Sequence, residues 1–225
     1  MSNFKRAITE QQKIERYQII LNSTKDLFVH SDFNMISVAE IASKAGLAKG
    51  SVFLYFKTKE ELFLCLTMQE FGKWNEIFNQ RLITFSKDEK SQSKELIDLL
   101  DKTLLSNSVL VRLLSMLNII LEQNISYELA LEYKRSLYEQ MQSTAEALEN
   151  NIYFFVKGDG IRFSLYCFAL IAGIHQMSNP ASIIKEAVKN TDYQIFNVDF
   201  RSYFIEMFKL ILDGMEFNFR PEIKI

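Results

Sequence analysis

Glycine and proline are scarce in this chain, which has seven glycines and two prolines among 225 residues. Antiparallel sandwiches and barrels need these residues at many turns, whereas helices joined by a few loops do not. Hydrophobic residues at spacings of three and four, with charged residues between them, predict a first helix from about Thr9 to His30. The same spacing recurs as far as Glu216. We therefore expect an all-α fold.

The composition indicates a folded, globular protein. Hydrophobic residues make up 48% of the chain and charged residues 24%, which is the range of globular proteins. The net charge of −2 excludes a uniformly basic nucleic-acid binder but permits a local basic patch. Cys65 and Cys167 match no zinc spacing, so we expect buried thiols in a reducing compartment. No apolar stretch reaches the roughly 20 residues that span a bilayer, which predicts a cytoplasmic protein without a membrane partner.

Two short helices separated by a glycine are predicted after the first helix. Ser37 can cap the earlier one, with Glu40 three residues later as in a capping box. Gly46 suits the left-handed conformation that ends a helix, and the second helix begins near Ala48 and extends to Tyr55. Two helices of about eight residues across a glycine turn are typical of a helix-turn-helix, whose second helix fits the major groove of DNA.

The charges along the chain favour DNA binding by this unit. Four lysines and no acidic residue lie between Ile41 and Lys59, and residues 1–64 carry a net charge of +2 while the remainder carries −4. A basic unit on an acidic body is the distribution that a DNA-binding protein needs. The alternative is a structural hairpin whose lysines only solvate the surface.

The segment from Ser37 to Leu62 resembles the DNA-binding signature of the tetracycline-repressor (TetR) family of bacterial transcription regulators. The residues that carry the resemblance are Ser37, Ile41, Ala42, Ala45, Gly46, Leu47, Gly50, Phe53, Tyr55, Phe56, Lys59 and Leu62. The family most often has tyrosine where this chain has Phe53, and that hydroxyl usually contacts a phosphate. Phosphate binding is therefore expected to depend more on Tyr55 and Lys59.

Eight residues are predicted to contact DNA. Lys49 and Ser51 begin the second helix and can reach base edges, while Gly50 allows a close approach of the backbone. The other five are expected at phosphates. The full set is Ser37, Lys44, Lys49, Gly50, Ser51, Tyr55, Thr58 and Lys59.

The remainder of the chain is predicted to dimerise. We expect a helix-turn-helix domain over residues 1–62, including the start of a connecting helix, and a helical effector-binding and dimerisation domain over residues 63–225. One helix-turn-helix binds a half-site weakly, so a dimer is expected. The last long helices are apolar on two faces, and the family resemblance implies that they form the dimer interface; the alternative places both helices wholly inside a monomer core. The expected interface residues are Phe163, Leu170, Gly173, Phe200, Phe204, Met207 and Ile211.

Large, soft side chains of the middle helices can line an apolar pocket, although the same residues also fill cores. The resemblance implies that a small effector binds there. The expected pocket residues are Trp74, Met116, Tyr138, Met141, Phe163 and Tyr166.

No catalytic or metal site is predicted, because the chain has only two histidines and lacks the common nucleophile and phosphate-binding motifs. No cofactor is expected. We hypothesise a homodimeric repressor that leaves a palindromic operator when a small apolar or aromatic effector binds. Two alternatives stay open: a DNA-binding dimer whose body docks a protein partner, and an α-helical carrier or enzyme for an apolar compound.

Overall fold

The fold is described by a computed structural model over residues 9–85, 89–189 and 192–219. Within these ranges the chain forms α-helices, two short 3₁₀ turns and two π-helical segments, and no strand, which confirms the all-α prediction. The helices are α1 (Glu10–His30), α2 (Val38–Lys44), α3 (Lys49–Val52), α4 (Lys59–Leu82), α5 (Glu89–Leu100), α6 (Ser108–Ser115), α7 (Tyr127–Asn151), α8 (Asp159–Ser178), α9 (Ser182–Lys189) and α10 (Phe200–Phe219). The π-helical segments are Asp101–Leu105 and Leu117–Leu121.

The predicted caps define the helix-turn-helix. The Ser37 hydroxyl accepts a hydrogen bond from the Glu40 N–H at 3.2 Å, and the Glu40 carboxylate accepts one from the Ser37 N–H at 2.7 Å. Gly46 has a φ of +67°, where a side chain would be strained. The Leu47 N–H then bonds to the Ala42 carbonyl at 2.9 Å, which closes the end of α2.

The second helix of the motif is shorter than predicted. α3 ends at Val52, and the next turn is held by hydrogen bonds from Leu54 N–H to the Ser51 carbonyl and from Tyr55 N–H to the Val52 carbonyl. These three-residue spacings tighten the backbone and turn the chain towards α4. Val52 is buried and anchors α3 to the other helices of the motif.

Two apolar clusters fill the interior, and α4 contributes to both. The head cluster contains α1, α2, α3 and the first turns of α4, together with side chains of α6, Leu117–Leu121 and Tyr133 on α7. The body cluster contains the second half of α4 and the inner faces of α5, α6, α7, α8 and α10. The predicted boundary after residue 62 therefore lies within the head cluster, because Leu64 and Leu66 pack with the head.

The polar stretch of residues 86–93, which the sequence suggests is a linker, is partly helical. Residues 86–88 lie outside the described ranges, but α5 already includes Gln92. The Gln92 side chain is buried, donates to the Asn151 carbonyl at 3.0 Å and accepts from the Tyr153 N–H at 2.9 Å. These bonds tie the start of α5 to the end of α7, so this part of the segment belongs to the body.

The α7 and α8 helices pack tightly against each other at Gly160. A Cβ atom built on Gly160 would lie 2.3 Å from the Ala145 Cα and 2.8 Å from the Ala145 carbonyl oxygen. Since the obstructing atoms are backbone, only glycine permits this contact between the two helices. The contact fixes the crossing of two of the helices that surround the central cavity.

Candidate DNA-binding head and effector cavity

The residues predicted to reach base edges lie on the outside of the head. Lys49 and Gly50 are exposed and Ser51 is half-buried at the start of α3. No atom lies within 4 Å of a Cβ placed on Gly50, so the backbone there is open to a close approach from outside. Lys44 and Lys57 are also exposed, which gives the head a basic surface. Lys57 was not among the predicted site residues, although it belongs to the lysine run of the motif.

Ser37 has fewer free hydrogen-bonding groups for a phosphate than the sequence suggested. Its backbone N–H is already bonded to the Glu40 carboxylate, and its hydroxyl is also engaged with Glu40. The hydrogen bonds from the Ser37 N–H and hydroxyl hold the pKa of Glu40 below its ordinary value. Glu40 therefore stays ionised and keeps the cap closed.

Lys59 and Thr58 are engaged within the protein. The Lys59 ammonium donates to the Phe33 carbonyl and lies 4.0 Å from the centroid of the Phe33 ring. Burial lowers the pKa of Lys59. The Thr58 hydroxyl donates to the Asn124 carbonyl at 2.8 Å and accepts from the Glu61 N–H at 3.0 Å. Both side chains thus position α4, in addition to any contact with DNA.

Two exposed apolar side chains of the head were not predicted as site residues. Leu54 is 80% exposed directly after α3, and Met35 is 75% exposed in the 3₁₀ turn before α2. Tyr55 is half-buried, and its neighbour Phe56 is buried and stacks on Tyr17. Apolar atoms on a DNA-binding surface can contact the methyl group of thymine. The sequence signal for Leu54 is its position in the apolar run that follows α3.

Glu61 joins the head to the body. It is buried, and its carboxylate accepts hydrogen bonds from the Lys57 N–H at 2.8 Å and from the Ser126 N–H at 3.0 Å. Burial raises the pKa of Glu61, but the hydrogen bonds from Lys57 and Ser126 outweigh it, so the pKa lies below its ordinary value. One ionised carboxylate therefore links the loop after α3 to the start of α7.

Arg112 forms a second link, between α6 and the end of α1. Its guanidinium donates to the Phe28 carbonyl at 2.6 Å and to the Ser31 carbonyl at 2.7 Å. It also bonds to the Asp32 carboxylate at 3.0 Å and lies 4.0 Å from the centroid of the Phe28 ring. These bonds satisfy carbonyls at the C-terminal end of a helix, where a cation is favoured. Sequence reasoning did not identify this residue.

A cavity of about 230 Å³ lies in the body between α4, α6, α7 and α8. Trp74, Met141 and Phe163 line it, as the sequence suggested. The other lining residues include Thr67, Met68, Phe71, Leu104, Leu114, Leu117, Asn118, Tyr133, Lys134, Ser136, Leu137, Gln140, Thr144, Ser164, Leu165, Cys167, Phe168 and Ile171. The lining is mostly apolar, with polar groups concentrated on α7.

Three predicted pocket residues do not line this cavity. Tyr138 is 62% exposed, because the face of α7 that points into the body carries Leu137 and Met141 instead. Tyr166 lies on the outer side of α8, where it is 40% exposed. Met116 packs against the head cluster. These three residues were assigned to the wrong face of their helices, since residues one or three positions away do line the cavity.

Tyr133 and Gln140 are polar residues of α7 that line the cavity. Burial, the charge of Glu122 and a hydrogen bond to that carboxylate raise the pKa of Tyr133, so its hydroxyl stays protonated. The Gln140 Oε1 is buried and has no hydrogen-bond partner in the described ranges. The Gln140 amide nitrogen is bonded to the Ser136 hydroxyl at 2.9 Å. Both residues lie on the cavity-facing side of α7.

The predicted dimer interface needs a correction at two positions. Phe163 and Phe204 are each 1% exposed, because they pack in the body cluster of their own protomer. Gly173 and Met207 are exposed, while Leu170, Phe200 and Ile211 are half-buried. The outer faces of α8 and α10 also expose Leu165, Tyr166, Met177, Tyr203, Leu210 and Phe217. An apolar surface on these helices stays a prediction for the interface.

Two other kinds of site are not found in the parts of the chain that the structure describes. No three histidine, cysteine, aspartate or glutamate side chains come close enough together there to hold a metal ion. No helix in those parts combines the length and the apolar character needed to cross a bilayer.

Comparison with known proteins identifies the family. Residues 20–66 match the family model described as bacterial regulatory proteins of the tetR family. Residues 68–218 match the model described as the tetracyclin repressor-like C-terminal domain. The second match alone covers more than half of the chain, and the junction between the two lies in α4.

The curated relatives match this chain over only part of their length. The fatty acid metabolism regulator protein of Bacillus subtilis is 28% identical over 85 residues, which are 38% of this chain and 41% of that protein. The transcriptional regulator QacR of Staphylococcus aureus is 36% identical over 64 residues, which are 28% of this chain and 34% of that protein. The matches thus span less than half of each relative.

Solved structures share the fold over nearly the whole chain. The fatty acid degradation regulator FadR of Bacillus halodurans has a TM-score of 0.51 at 18% identity, covering 86% of this chain and 97% of that one. FadR of Bacillus subtilis, solved in complex with stearoyl-CoA, has a TM-score of 0.50 at 16% identity, with 85% and 97% coverage. The helix-turn-helix, the helical body and both family matches show that this chain belongs to the tetracycline-repressor family of DNA-binding transcription regulators.

Proposed function

We propose that the protein is a homodimeric repressor that binds a near-palindromic operator and is released by a small effector in the body cavity. The cavity carries this proposal, because it is lined by the two helices that hold the head. Trp74 on α4 and Leu114 on α6 line it, while Lys59 and Arg112 on the same helices grip the head. A ligand between α4 and α6 therefore acts directly on the supports of the DNA-binding unit.

Release requires a difference in affinity between two arrangements. An effector that binds the DNA-competent and incompetent forms equally shifts nothing, however tightly it binds. A ligand against Trp74 would tilt α4, whose first residue Lys59 adjoins the head. In a dimer, that tilt changes the separation of the two recognition helices, which must match successive major grooves about 34–36 Å apart.

The exposed basic surface of the head supports contacts to both DNA bases and phosphates. Lys49 stands at the start of α3, where lysine can pair with guanine O6 and N7. Lys44, Tyr55 and Lys57 surround it in sequence and suit phosphates. Ser37, Ser51, Thr58 and Lys59 complete the proposed DNA-contacting set, with the last two also holding α4.

Genomic fragments retained by the protein test the DNA-binding part. We expect the retained fragments to share two related half-sites, with affinity that falls steeply as salt rises. Lys49→Ala should change base preference, whereas Lys102→Ala, which removes an exposed lysine of the body, should leave it unchanged. Identical fragments from the parent and Lys49→Ala would exclude α3 as the reading helix.

Sedimentation tests the assembly. A parent protein that sediments as a monomer at micromolar concentration would contradict the proposed dimer. Met207→Asp should give monomers if α10 lies at the interface, because an unpaired buried charge costs several kcal/mol. Glu146→Asp, on an exposed position of α7, is the matched control.

A second candidate keeps DNA binding but uses the body to dock a protein partner. The segment around α9 favours it, because no residue of α9 is buried and Ile183 and Ile195 are at least 70% exposed. Under this candidate, occupation of the cavity leaves operator affinity unchanged, while substitution of Ile183 or Ile195 by aspartate abolishes regulation. Measuring operator affinity while the cavity is filled with a ligand therefore distinguishes the two candidates.

A further inference from the structure

Aromatic rings contribute much of the apolar lining of the cavity. Phe71 and Trp74 of α4 line it, and so do Phe163 and Phe168 of α8. The ring centroids of Phe71 and Trp74 are 5.4 Å apart, so these two rings are in contact with each other. Burial of apolar surface against such a lining is the main source of binding free energy for a ligand.

The polar side chains that α4 and α8 contribute to the cavity are bonded within the protein. The Trp74 Nε1 donates to the Thr103 hydroxyl at 3.1 Å. The Thr67 hydroxyl donates to the carbonyl four residues earlier at 2.8 Å, and the Ser164 hydroxyl makes the same kind of bond at 3.0 Å. Burial raises the pKa of the Cys167 thiol, which therefore stays neutral and is only a weak donor. The strong donors on these two helices are thus already used.

The polar side chains of α7 at the cavity are also engaged or buried in the protein. The Tyr133 hydroxyl is hydrogen-bonded to the Glu122 carboxylate. The Gln140 Oε1 is buried beside α4, where a Cβ atom built on Gly72 would lie 3.7 Å from it. The Thr144 hydroxyl takes part in bonds with two asparagines of α4. A polar group of a ligand would therefore compete with contacts that the protein already makes.

The charges at the cavity favour a neutral ligand. Among the described residues that line the cavity, only Lys134 carries a full charge, and its ammonium is bonded to the Glu122 carboxylate at 2.7 Å. Lys134 and the neutral Asn118 are both exposed, so these polar residues lie at the outer edge of the cavity. An ionic ligand would either compete with Glu122 or bury an unpaired charge, which is strongly unfavourable.

The volume limits the size of the ligand. A dry apolar cavity of about 150 Å³ accommodates benzene, so by proportion the 230 Å³ available here suits about nine non-hydrogen atoms. The stearoyl-CoA bound by the Bacillus subtilis relative is far larger than this space. The cavity therefore fits a single ring with short substituents rather than an acyl thioester.

We propose that the effector is a neutral hydrocarbon of about nine non-hydrogen atoms, represented by an alkylbenzene, that the cavity binds without any hydrogen bond. The ring of an alkylbenzene packs against Phe71, Trp74 and Phe163, since aromatic rings attract one another in offset or edge-to-face arrangements. The sulfur atoms of Met68 and Met141 add favourable contacts to the ring, and these side chains adapt to its shape. This inference rests on the proposed effector function and specifies its ligand.

Two compounds of equal size test whether the cavity rejects a polar group. 4-Ethyltoluene and 4-ethylphenol differ only by a methyl group in place of a hydroxyl. Trp74, the only tryptophan of the chain, lines the cavity and reports binding by its fluorescence, with calorimetry as the independent measurement. We expect 4-ethyltoluene to bind at least about fivefold more tightly, which corresponds to roughly 1 kcal/mol, because the hydroxyl loses its hydrogen bonds to water without replacement.

A third compound tests the size limit. 1,3,5-Triisopropylbenzene is a larger and more apolar alkylbenzene, so it would bind more tightly than 4-ethyltoluene if apolar character alone decided the affinity. We expect it to bind at least about tenfold more weakly, because it exceeds the volume of the cavity.

Matched variants locate the bound hydrocarbon. Met141→Gln and Met68→Gln each place an amide in the lining, which can pair with the hydroxyl of 4-ethylphenol. The preference for 4-ethyltoluene should therefore fall to about twofold or less in at least one of them, and the second variant serves if the first does not fold. Met177→Gln makes the same chemical change at an exposed position of α8 that does not line the cavity. This control should keep the preference of the parent.

The outcomes separate the ligand class from the effector function. Equal or tighter binding of 4-ethylphenol, binding of none of the compounds, or tighter binding of the triisopropyl compound would overturn the proposed ligand class. A preference that survives both Met141→Gln and Met68→Gln would also overturn it, because the hydrocarbon would then bind outside the cavity. Operator release by another compound under those results would leave the effector function standing. Conversely, the expected preference for 4-ethyltoluene without any change in operator affinity would support the ligand class and overturn the effector function.

Discussion

The head and the body use different kinds of hydrogen bonds to hold their elements together. In the head, Ser37 and Glu40 bond to each other, and Glu61 and Arg112 bond to backbone groups of neighbouring elements. In the body, neutral side chains bond across the helices, as Trp74 does to the Thr103 hydroxyl and Asn75 does to the Thr144 hydroxyl. Charged side chains thus bond to the backbone where the head meets the body, whereas neutral side chains bond to one another beside the cavity.

The comparison also separates rigid from adjustable contacts. Arg112 and Glu61 attach the head to α6 and α7 with short, charge-assisted hydrogen bonds. The cavity is instead bounded by flexible or soft side chains such as Met68 and Met141. We therefore expect a shift that begins in the body to reach the head as a movement of whole helices.

The largest loss of stability is expected at Gly160, where α7 and α8 leave no space for a side chain. Gly160→Ala places a Cβ within 3 Å of Ala145 backbone atoms, so α7 and α8 must separate. We expect the free energy of unfolding to fall by about 3 kcal/mol, the upper part of the range for overpacking. Chemical denaturation measures this change.

Gly214→Ala is the matched control for the glycine at position 160. It lies inside α10, and no atom stands within 4 Å of its added Cβ. Alanine is the better helix former there by up to about 1 kcal/mol, so stability should be unchanged or raised. A Gly160→Ala variant as stable as Gly214→Ala would show that the α7–α8 contact is not tight in solution.

The second prediction breaks the attachment of the head. Arg112→Met keeps much of the apolar stem but loses the bonds to the Phe28 and Ser31 carbonyls. We expect a loss of about 2 kcal/mol in the free energy of unfolding, since hydrogen bonds to charged groups contribute roughly 1.5–3 kcal/mol. Arg135→Met, at an exposed position of α7, should change stability little.

Hydrogen exchange distinguishes the attachment from general destabilisation. In Arg112→Met, the amides of α1 should exchange faster, while those of α7 and α8 keep most of their protection. Faster exchange that is uniform over all helices would contradict a local link between α6 and the head.

The third prediction concerns pH. Because the pKa of Glu61 is lower in the folded protein than its ordinary value of about 4.5, its contribution to stability is present above that pH. The contribution is lost as the pH falls through the folded pKa. Glu61→Gln should therefore be about 1 kcal/mol less stable at pH 7. The difference in the free energy of unfolding between Glu61→Gln and the parent should become smaller below pH 4.5.

Glu70 provides the internal control for this titration. It is buried, bonded to Lys25 and Lys73, and its pKa is also lowered because these bonds outweigh burial. Acid destabilisation of the parent should thus persist in Glu61→Gln, reduced only by the part that Glu61 contributes. A difference between parent and variant that is constant from pH 7 to pH 3 would exclude an ionised Glu61 at the junction.

How much the sequence predicted depends on how local each feature is. The Ser37 cap and the Gly46 turn involve residues within a few positions of each other, so spacing alone identified them. The chain position of the DNA-binding motif followed from the same short-range pattern. Arg112, in contrast, bonds to residues about 80 positions away, and no local sequence pattern predicts such a contact.

For the cavity, the sequence suggested the right kinds of residue but not which face of α7 points inward. Trp74, Met141 and Phe163 come from three different helices, and composition suggested them as soft or aromatic residues. Tyr138 has the same chemistry but faces solvent, because the rotation of α7 about its axis is fixed by its packing on α4 and α8. The spacing of Tyr133, Leu137, Gln140, Met141 and Thr144 did carry this information.

The smallest effect is expected at the surface of the head. Lys44 lies 3.4 Å from the Asp26 carboxylate, and both side chains are exposed. Lys44→Ala should change the free energy of unfolding by less than about 0.5 kcal/mol, because exposed ion pairs contribute little. If Lys44 contacts a phosphate, the slope of log affinity for operator DNA against log salt should decrease by about one. Asp26→Asn removes the same ion pair but keeps the lysine, so its salt slope should match the parent. An unchanged slope in Lys44→Ala would assign this lysine to the protein surface and leave phosphate binding to the residues around α3.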